Sequence, residues 1–360
     1  MREEKLYMEQ LKVYACYNTD ESVRLGSSSG AIFSPLAEYV LERKGIVYGV
    51  KMSDDCYSAE FARVSERTNL IELRGSKYLQ AKVGNTYKRV KEDLIEGRLV
   101  LFSGTGCQVN GLKTFLGKEY DNLLCVDVIC HGVPSPALWK KYAQCQERKS
   151  GGKLKDVYFR CKDNSWADFG LKQVFSNIPR TEQTKKLYIP SDKDPYMTMF
   201  LRNYCLRPSC YECVAKKVKM ADLTLADFWG IENVAPEMND GNGTSLVLIR
   251  TDKGRRAFEL ISSNLTAKEV SYEDGVRCNP SEYSSCLRPY QRDSFYDDMR
   301  NKDFQGLKIK YASVPLKSRV KRIAVKIIKA IPKFTRGGVN ARKSMDYSLC
   351  FIFDCQEKNQ

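Results

Sequence analysis

A chain of 360 residues, 42% of them hydrophobic, has room for two or three domains and can bury a core without disulfides. Its 14 cysteines are too sparse for a small disulfide scaffold and point to a reducing compartment, and no stretch reaches the roughly 18 apolar residues of a membrane span. Of the formal net charge of +15, twelve cations with no intervening acid fall between Leu307 and Lys343; the remainder is near +3, which argues against a uniformly basic nucleic-acid binder.

The opening Met1-Arg2-Glu3-Glu4-Lys5 is polar with no apolar core behind it, so a cytoplasmic location is expected. A first zone, residues 12–98, reads as strand, turn, helix and strand. Val13-Tyr14-Ala15 opens it, Ser27-Ser28-Ser29-Gly30 is the turn, Ile32 to Arg43 has helical periodicity, and Gly45 to Val50 is the next strand. A helix beginning at that turn would offer free N–H groups, serine hydroxyls and a positive dipole end to a phosphate or pyrophosphate, although serine caps also simply start helices. Neither a P-loop nor a Gly-x-Gly-x-x-Gly fingerprint is present. Further on, Arg74-Gly75-Ser76-Lys77-Tyr78-Leu79-Gln80 pairs cations with an aromatic ring, and reads either as part of the same ligand site or as an exposed polar turn.

The second zone, residues 99–265, carries the cysteines in the most informative settings. Two apolar runs of the buried-strand kind, Leu99 to Phe102 and Leu123 to Ile129, each lead into a glycine turn with a cysteine. These turns are Ser103-Gly104-Thr105-Gly106-Cys107-Gln108 and Ile129-Cys130-His131-Gly132-Val133-Pro134. The pair Cys210-Tyr211-Glu212-Cys213 follows, with Cys205 as a fifth candidate upstream. Four thiolates in such positions suit a soft metal centre, an iron–sulfur cluster or zinc. Cys16, Cys56, Cys125, Cys145, Cys161, Cys278 and Cys286 read as reduced, buried thiols. His131 is the only histidine, which excludes any mechanism that needs two. It either shapes its turn through a hydrogen bond or acts as a proton donor or tuner of a cluster. Ser245 to Ile249 reads as another strand.

The third zone, residues 266–360, reads as a polar linker (Glu273 to Asp303) and a basic tail. Between Pro315 and Pro332, Leu316, Val320, Ile323, Ala324, Ile327 and Ile331 recur at helical spacing among Lys317, Arg319, Lys321, Arg322, Lys326 and Lys329. This basic amphipathic helix would pack on the body with a solvated face, or lie on an anionic membrane surface; nucleic acid is the least favoured partner.

Taken in order, the serine–glycine turn, the Arg74–Gln80 stretch, both cysteine turns, Arg207-Pro208-Ser209-Cys210-Tyr211-Glu212-Cys213, Ala221-Asp222-Leu223-Thr224-Leu225-Ala226-Asp227-Phe228-Trp229-Gly230 and Gly243-Thr244-Ser245-Leu246-Val247 resemble the coenzyme F420 hydrogenase/dehydrogenase beta-subunit family, in the bacterial form found beside polysaccharide-synthesis genes. The resemblance covers roughly Val13 to Phe258. It implies a two-part α/β iron–sulfur flavoprotein fold with mixed sheets, a 4Fe-4S cluster, FAD, and electron passage between the cluster and a small-molecule substrate or deazaflavin. The positions that match the family pattern are Cys107, Cys130, Cys210 and Cys213 as cluster ligands, with Cys205 in reserve. By the same resemblance Ser27, Ser28, Ser29, Gly30, Lys77, Tyr78, Gly243, Thr244 and Ser245 are the expected FAD neighbours, and Asp222, Thr224 and Asp227 shape a turn over the cluster.

This chain departs from the pattern in three ways. It lacks the ferredoxin-like module of paired Cys-x-x-Cys-x-x-Cys runs that many relatives carry, which implies that electrons arrive from a separate donor protein such as ferredoxin, or through its single cluster. Gly106 stands where relatives usually have proline, and Ala226 where they usually have glycine; the latter matters only if the position needs a positive φ. Two other classes remain open at this point: a zinc-stabilised module that catalyses nothing, and a membrane-associated accessory protein of polysaccharide assembly.

Overall fold

The computed structural model describes residues 11–176 and 184–313. Among them are twelve strands: β1 (Lys12–Asn18), β2 (Ile46–Met52), β3 (Ala59–Val64), β4 (Ala81–Lys82), β5 (Val100–Thr105), β6 (Leu123–Val128), β7 (Lys153–Cys161), β8 (Gly170–Ser176), β9 (Lys185–Pro190), β10 (Leu223–Asp227), β11 (Ser245–Ile249) and β12 (Leu265–Val270). Nine of these form one mixed sheet in the order β12-β1-β11-β10-β6-β5-β2-β3-β4, and β7, β8 and β9 form an antiparallel sheet of their own.

At the middle of the large sheet, β2, β5, β6 and β10 run parallel. Such strands are covered on both faces, which is why Val100-Leu101-Phe102 and Leu123-Leu124-Cys125-Val126 are apolar throughout instead of alternating. On one face Val47, Leu101, Leu124 and Val126 meet the helix Phe33–Glu42 through Leu36 and Val40, and the helix Asp252–Leu260 through Phe258. On the other, Ile46, Tyr48, Val100 and Phe102 meet Val90 and Leu94 of the helix Thr86–Ile95, and Val109 and Leu112 of the helix Gly106–Leu116. The β7–β9 sheet closes over the helices Pro136–Ser150 and Pro195–Leu201, with Trp139, Tyr142, Phe159, Phe175 and Tyr196 all buried between them.

The helix expected over Ile32–Arg43 occupies Phe33–Glu42, and β11 spans the residues expected of it. β1 pairs with β11 on one side and β12 on the other, so one sheet joins the beginning of the chain to residues 245–270. The stretch expected to be a polar linker after residue 265 is instead folded against the body up to residue 313. β12 is a sheet strand, and the helices Tyr272–Val276 and Arg292–Asn301 bury Val276, Phe295 and Met299. Those apolar residues are too widely spaced among charges to leave a periodic signal. The helix expected from Pro315 to Pro332 lies outside the described residues. Among the described residues no helix is long and apolar enough to cross a membrane.

Candidate cofactor site

β5 and β6 end side by side, and both cysteine turns leave from their carboxyl ends, where open α/β sheets present their crevices. Cys107 falls in the first turn of the helix Gly106–Leu116, whose positive end therefore faces the crevice. The turn is fixed by Gln108, whose Oε1 accepts from the Thr105 N–H at 2.9 Å, and the Thr105 hydroxyl lies 3.2 Å from the Cys107 sulfur. A side chain at Gly106 would stand 3.0 Å from Asp127 Oδ2 and 3.1 Å from Ala215 Cβ, so this residue keeps its neighbours close.

The loop after β6 is tied to the Cys210 loop along the backbone. Arg207 N donates to Val133 O at 3.0 Å and Ser135 N to Cys205 O at 2.9 Å. At their crossing Gly132 has φ 148°, and a Cβ there would meet Leu206 Cδ1 at 2.8 Å and Cys210 Cβ at 3.4 Å. Only glycine lets the two cysteine loops approach this closely without strain.

The result is a cavity of about 240 Å³ lined by Cys107, Cys130, Cys210 and Cys213 together, with His131, Lys216 and Lys219 on its wall. Cys107 is exposed and the other three are half-buried. Burial pushes the Cys130 thiol up to about 12, against the opposing charge of Lys216, and raises that of Cys210. Among the described residues no three His, Cys, Asp or Glu side chains converge as ligands of a single metal ion. Cys205 lies outside this wall, fully buried in the apolar core.

Behind the thiols is a buried polar floor. Thr224 Oγ1 donates to Asp127 Oδ1 at 2.5 Å and accepts from Arg250 Nε at 2.6 Å; Arg250 also pairs with Glu282 at 2.6 Å. Burial pushes the Asp127 carboxyl up to about 6. Asp222 supports the sheet beneath, accepting from Cys125 N at 2.8 Å and from Thr251 Oγ1 at 2.7 Å. Ala226 is an ordinary strand residue opposite Leu246 and has no positive φ, so replacing glycine there introduces no strain.

His131 is half-buried, and its Nε2 lies 2.7 Å from Asn203 Oδ1. Asn203 Nδ2 donates to Leu287 O at 3.2 Å, which fixes the amide so that Oδ1 faces the imidazole and Nε2 carries the proton. Burial lowers the ring to about 4, which keeps it neutral near pH 7.

The residues expected to contact FAD also come together, in a second locality. Ser29 Oγ donates to Thr244 O at 2.9 Å, Gly30 N to Ser245 Oγ at 2.9 Å, and Ser76 N to Ser28 Oγ at 2.8 Å. Ser27 Oγ turns back to Val23 O at 2.8 Å. Lys77 Nζ donates to the Glu72 and Arg74 carbonyls, and burial lowers its amine to about 7. The helix expected after Ser27–Gly30 begins at Phe33, with Ala31 and Ile32 between it and the turn and no side-chain cap at Ile32. The Gly30 N–H is already taken by Ser245, and Ser27 to Gly30 are held into the sheet edge.

Sequence reading missed the cations of this locality. Arg160, at the end of β7, is buried; its Nε donates to Ser28 O at 3.1 Å, and its guanidinium lies 4.1 Å from the Phe169 ring and 4.8 Å from Trp229. Its Nη2 approaches Asp227 at 3.2 Å but makes no hydrogen bond. Lys162 Nζ donates to the carbonyls of Arg24, Ser29 and Asn242 at 2.8 to 2.9 Å. Arg24 in turn holds Gly243 O and Asp240. Arg160 and Lys162 come from the inserted sheet and belong to no motif, so nothing in their local sequence marks them. Two ring contacts join the localities: His131 meets Phe200 edge-on at 5.2 Å, and Phe200 lies 5.4 Å from Tyr78.

The geometry defines a mixed α/β protein with a thiol-lined cavity at its strand ends. Residues 13–87 match the model for the coenzyme F420 hydrogenase/dehydrogenase beta subunit N-terminus, and residues 97–274 that for its C terminus. The chain belongs to the coenzyme F420 hydrogenase/dehydrogenase beta-subunit family. Among solved structures, it is similar to a chain of the xenon-derivatised F420-reducing NiFe hydrogenase complex from Methanosarcina barkeri, with 17% identity over 71% of this chain and 81% of that one and a TM-score of 0.46. No curated protein matches it.

Proposed function

We propose that the chain is an iron–sulfur flavoprotein oxidoreductase in which Cys107, Cys130, Cys210 and Cys213 hold one 4Fe-4S cluster. The observation that carries this reading is the meeting of four thiols, from three separate segments, around one cavity of about 240 Å³. FAD is the second cofactor, held by Ser27 to Gly30, Lys77, Tyr78 and Gly243 to Ser245, with Arg160 added. The buried Nη2 of Arg160, which lacks a hydrogen-bond acceptor, supports an acceptor such as a pyrophosphate oxygen or a flavin carbonyl beside Ser28.

When bound, a cluster exchanges single electrons and a flavin takes a pair as a hydride. This chain's residues would fix their positions. The helix Gly106–Leu116 directs its positive end at the thiolate side, while Gly132 keeps two ligand loops together. His131, kept neutral by burial and oriented by Asn203, would position the Cys130 turn. Phe200 and Tyr78 fill the space between the localities and exclude water. The exposed Cys107 side is where an electron-carrying partner protein such as ferredoxin would approach, and the flavin side is where a small molecule, a deazaflavin or a sugar-nucleotide precursor of polysaccharide, would react.

The flavin part is tested by Arg160→Met, which keeps the apolar stem and removes the charge. FAD retained after gel filtration should fall about tenfold or more relative to wild type, since a charge-assisted hydrogen bond contributes roughly 1.5–3 kcal/mol. Arg160→Lys should recover part of it. Unchanged FAD retention in Arg160→Met would remove Arg160 from the site. Anaerobic reduction followed by reoxidation with deazaflavin or sugar nucleotides would identify the substrate class.

A further inference from the structure

The wall of the thiol cavity is completed by a segment that the family models do not reach. The matched region ends at residue 274, yet residues 281–287 touch each loop that carries a half-buried cysteine. Cys213 N donates to Ser285 Oγ at 2.9 Å, and the Cys286 thiol donates to the His131 carbonyl at 2.5 Å. Lys219 Nζ donates to Glu282 O at 2.6 Å, and Asn203 Nδ2 reaches Leu287 O at 3.2 Å. Lys216 is the centre of this set: its Nζ donates to Cys130 O at 2.6 Å and to Ser281 O, and so clamps a ligand turn to the covering segment.

Charge separates Lys216 from its neighbours. Lys219 and Arg250 share a single carboxylate, Glu282, at 3.1 and 2.6 Å, which offsets part of their charge within the wall. The recorded partners of Lys216 are carbonyl oxygens, and among the described residues it forms no ion pair with a carboxylate. Its ammonium lines the cavity beside the Cys130 turn, so its positive charge acts on the cavity itself. Adding one electron to a cluster ligated by four thiolates makes an anionic centre more anionic. A fixed cation on the wall favours that reduced state, and more strongly where water is excluded.

We propose that Lys216, held in place by the 281–287 segment, sets the reduction potential of the cluster ligated by Cys107, Cys130, Cys210 and Cys213. The proposal rests on the cluster reading above, and the two fail separately. Wild-type protein reconstituted anaerobically with iron and sulfide tests the cluster first: absence of bound iron would end that reading whatever Lys216 does. With iron bound, dithionite titration followed by electron paramagnetic resonance gives the midpoint potential. Lys216→Gln should shift the reduction equilibrium about tenfold toward the oxidised form, about 59 mV more negative for one electron. Lys216→Arg should keep the wild-type potential, as should Lys217→Gln on the exposed neighbour. If Lys216→Gln loses iron while Lys216→Arg retains it at the wild-type potential, the requirement for charge stands. A wild-type potential in Lys216→Gln would overturn the proposal. Iron loss in both Lys216 variants, with wild-type circular dichroism, would also overturn it by reducing Lys216 to a structural clamp.

Discussion

Cys210→Ser should leave the purified protein with only a small fraction of its iron, while its fold survives. Serine offers a hard oxygen in place of a soft thiolate, and removing one of four ligands opens the centre to solvent and loss. The side chain is half-buried on the cavity wall at the margin of the core, so the iron-free protein should change in stability by only about 0.5–1 kcal/mol. Cys145→Ser and Cys205→Ser should do the reverse. Both thiols are buried in the apolar core around Trp139 and Tyr142, where a hydroxyl needs a partner, so each should cost about 1–3 kcal/mol in urea unfolding and retain iron. Iron analysis beside a urea melt separates the two classes. Full iron in Cys210→Ser, or iron loss in Cys205→Ser at intact stability, would redraw the ligand set.

Gly30→Val should destabilise the protein by about 3 kcal/mol, because the new atoms have nowhere to go. A Cβ at Gly30 would lie 2.4 Å from the Cys16 carbonyl oxygen, 2.8 Å from Ser245 N and 3.0 Å from Ser245 Oγ. Two of those three are backbone atoms of paired strands, β1 and β11, and cannot rotate aside. The Gly30 carbonyl also accepts from Asn18 N at 2.8 Å, so moving the turn would break the end of β1. Any flavin lost from this variant therefore reports on the sheet as well as on the ligand, and Arg160→Met is the cleaner test of binding. A urea midpoint for Gly30→Val equal to that of wild type would contradict the packing described for this turn.

The cysteine site was largely legible from the sequence because its parts are local: a buried strand, a glycine turn and a thiol, twice over, then a Cys-x-x-Cys pair. Each block announces its own geometry, and the parallel pairing of β5 with β6 brings the first two together. The serine turn was legible in place but not in role. Ser27 to Gly30 sit beside Gly243 to Ser245 as the family resemblance implied, yet Ala31 and Ile32 separate the turn from the helix, and the Ser245 hydroxyl takes the Gly30 N–H that a free cap would offer. Arg160, Lys162 and Lys216 were not legible at all. Most of their partners are carbonyls and rings 65 or more residues away, and no local pattern encodes such contacts. The folded stretch from 266 to 313 escaped for a related reason. Glu282, Cys286 and Phe295 are buried one at a time among exposed charges, so tertiary contact and not periodicity orders them.

The measurement that bears most directly on the central claim is Mössbauer spectroscopy, with iron and sulfide analysis, of the wild-type chain purified anaerobically. One cluster held by Cys107, Cys130, Cys210 and Cys213 predicts about four iron and four sulfide per chain, with the spectrum of a single 4Fe-4S centre. A colourless protein carrying about one zinc per chain and no sulfide would contradict it, and would make the four thiols a structural metal site.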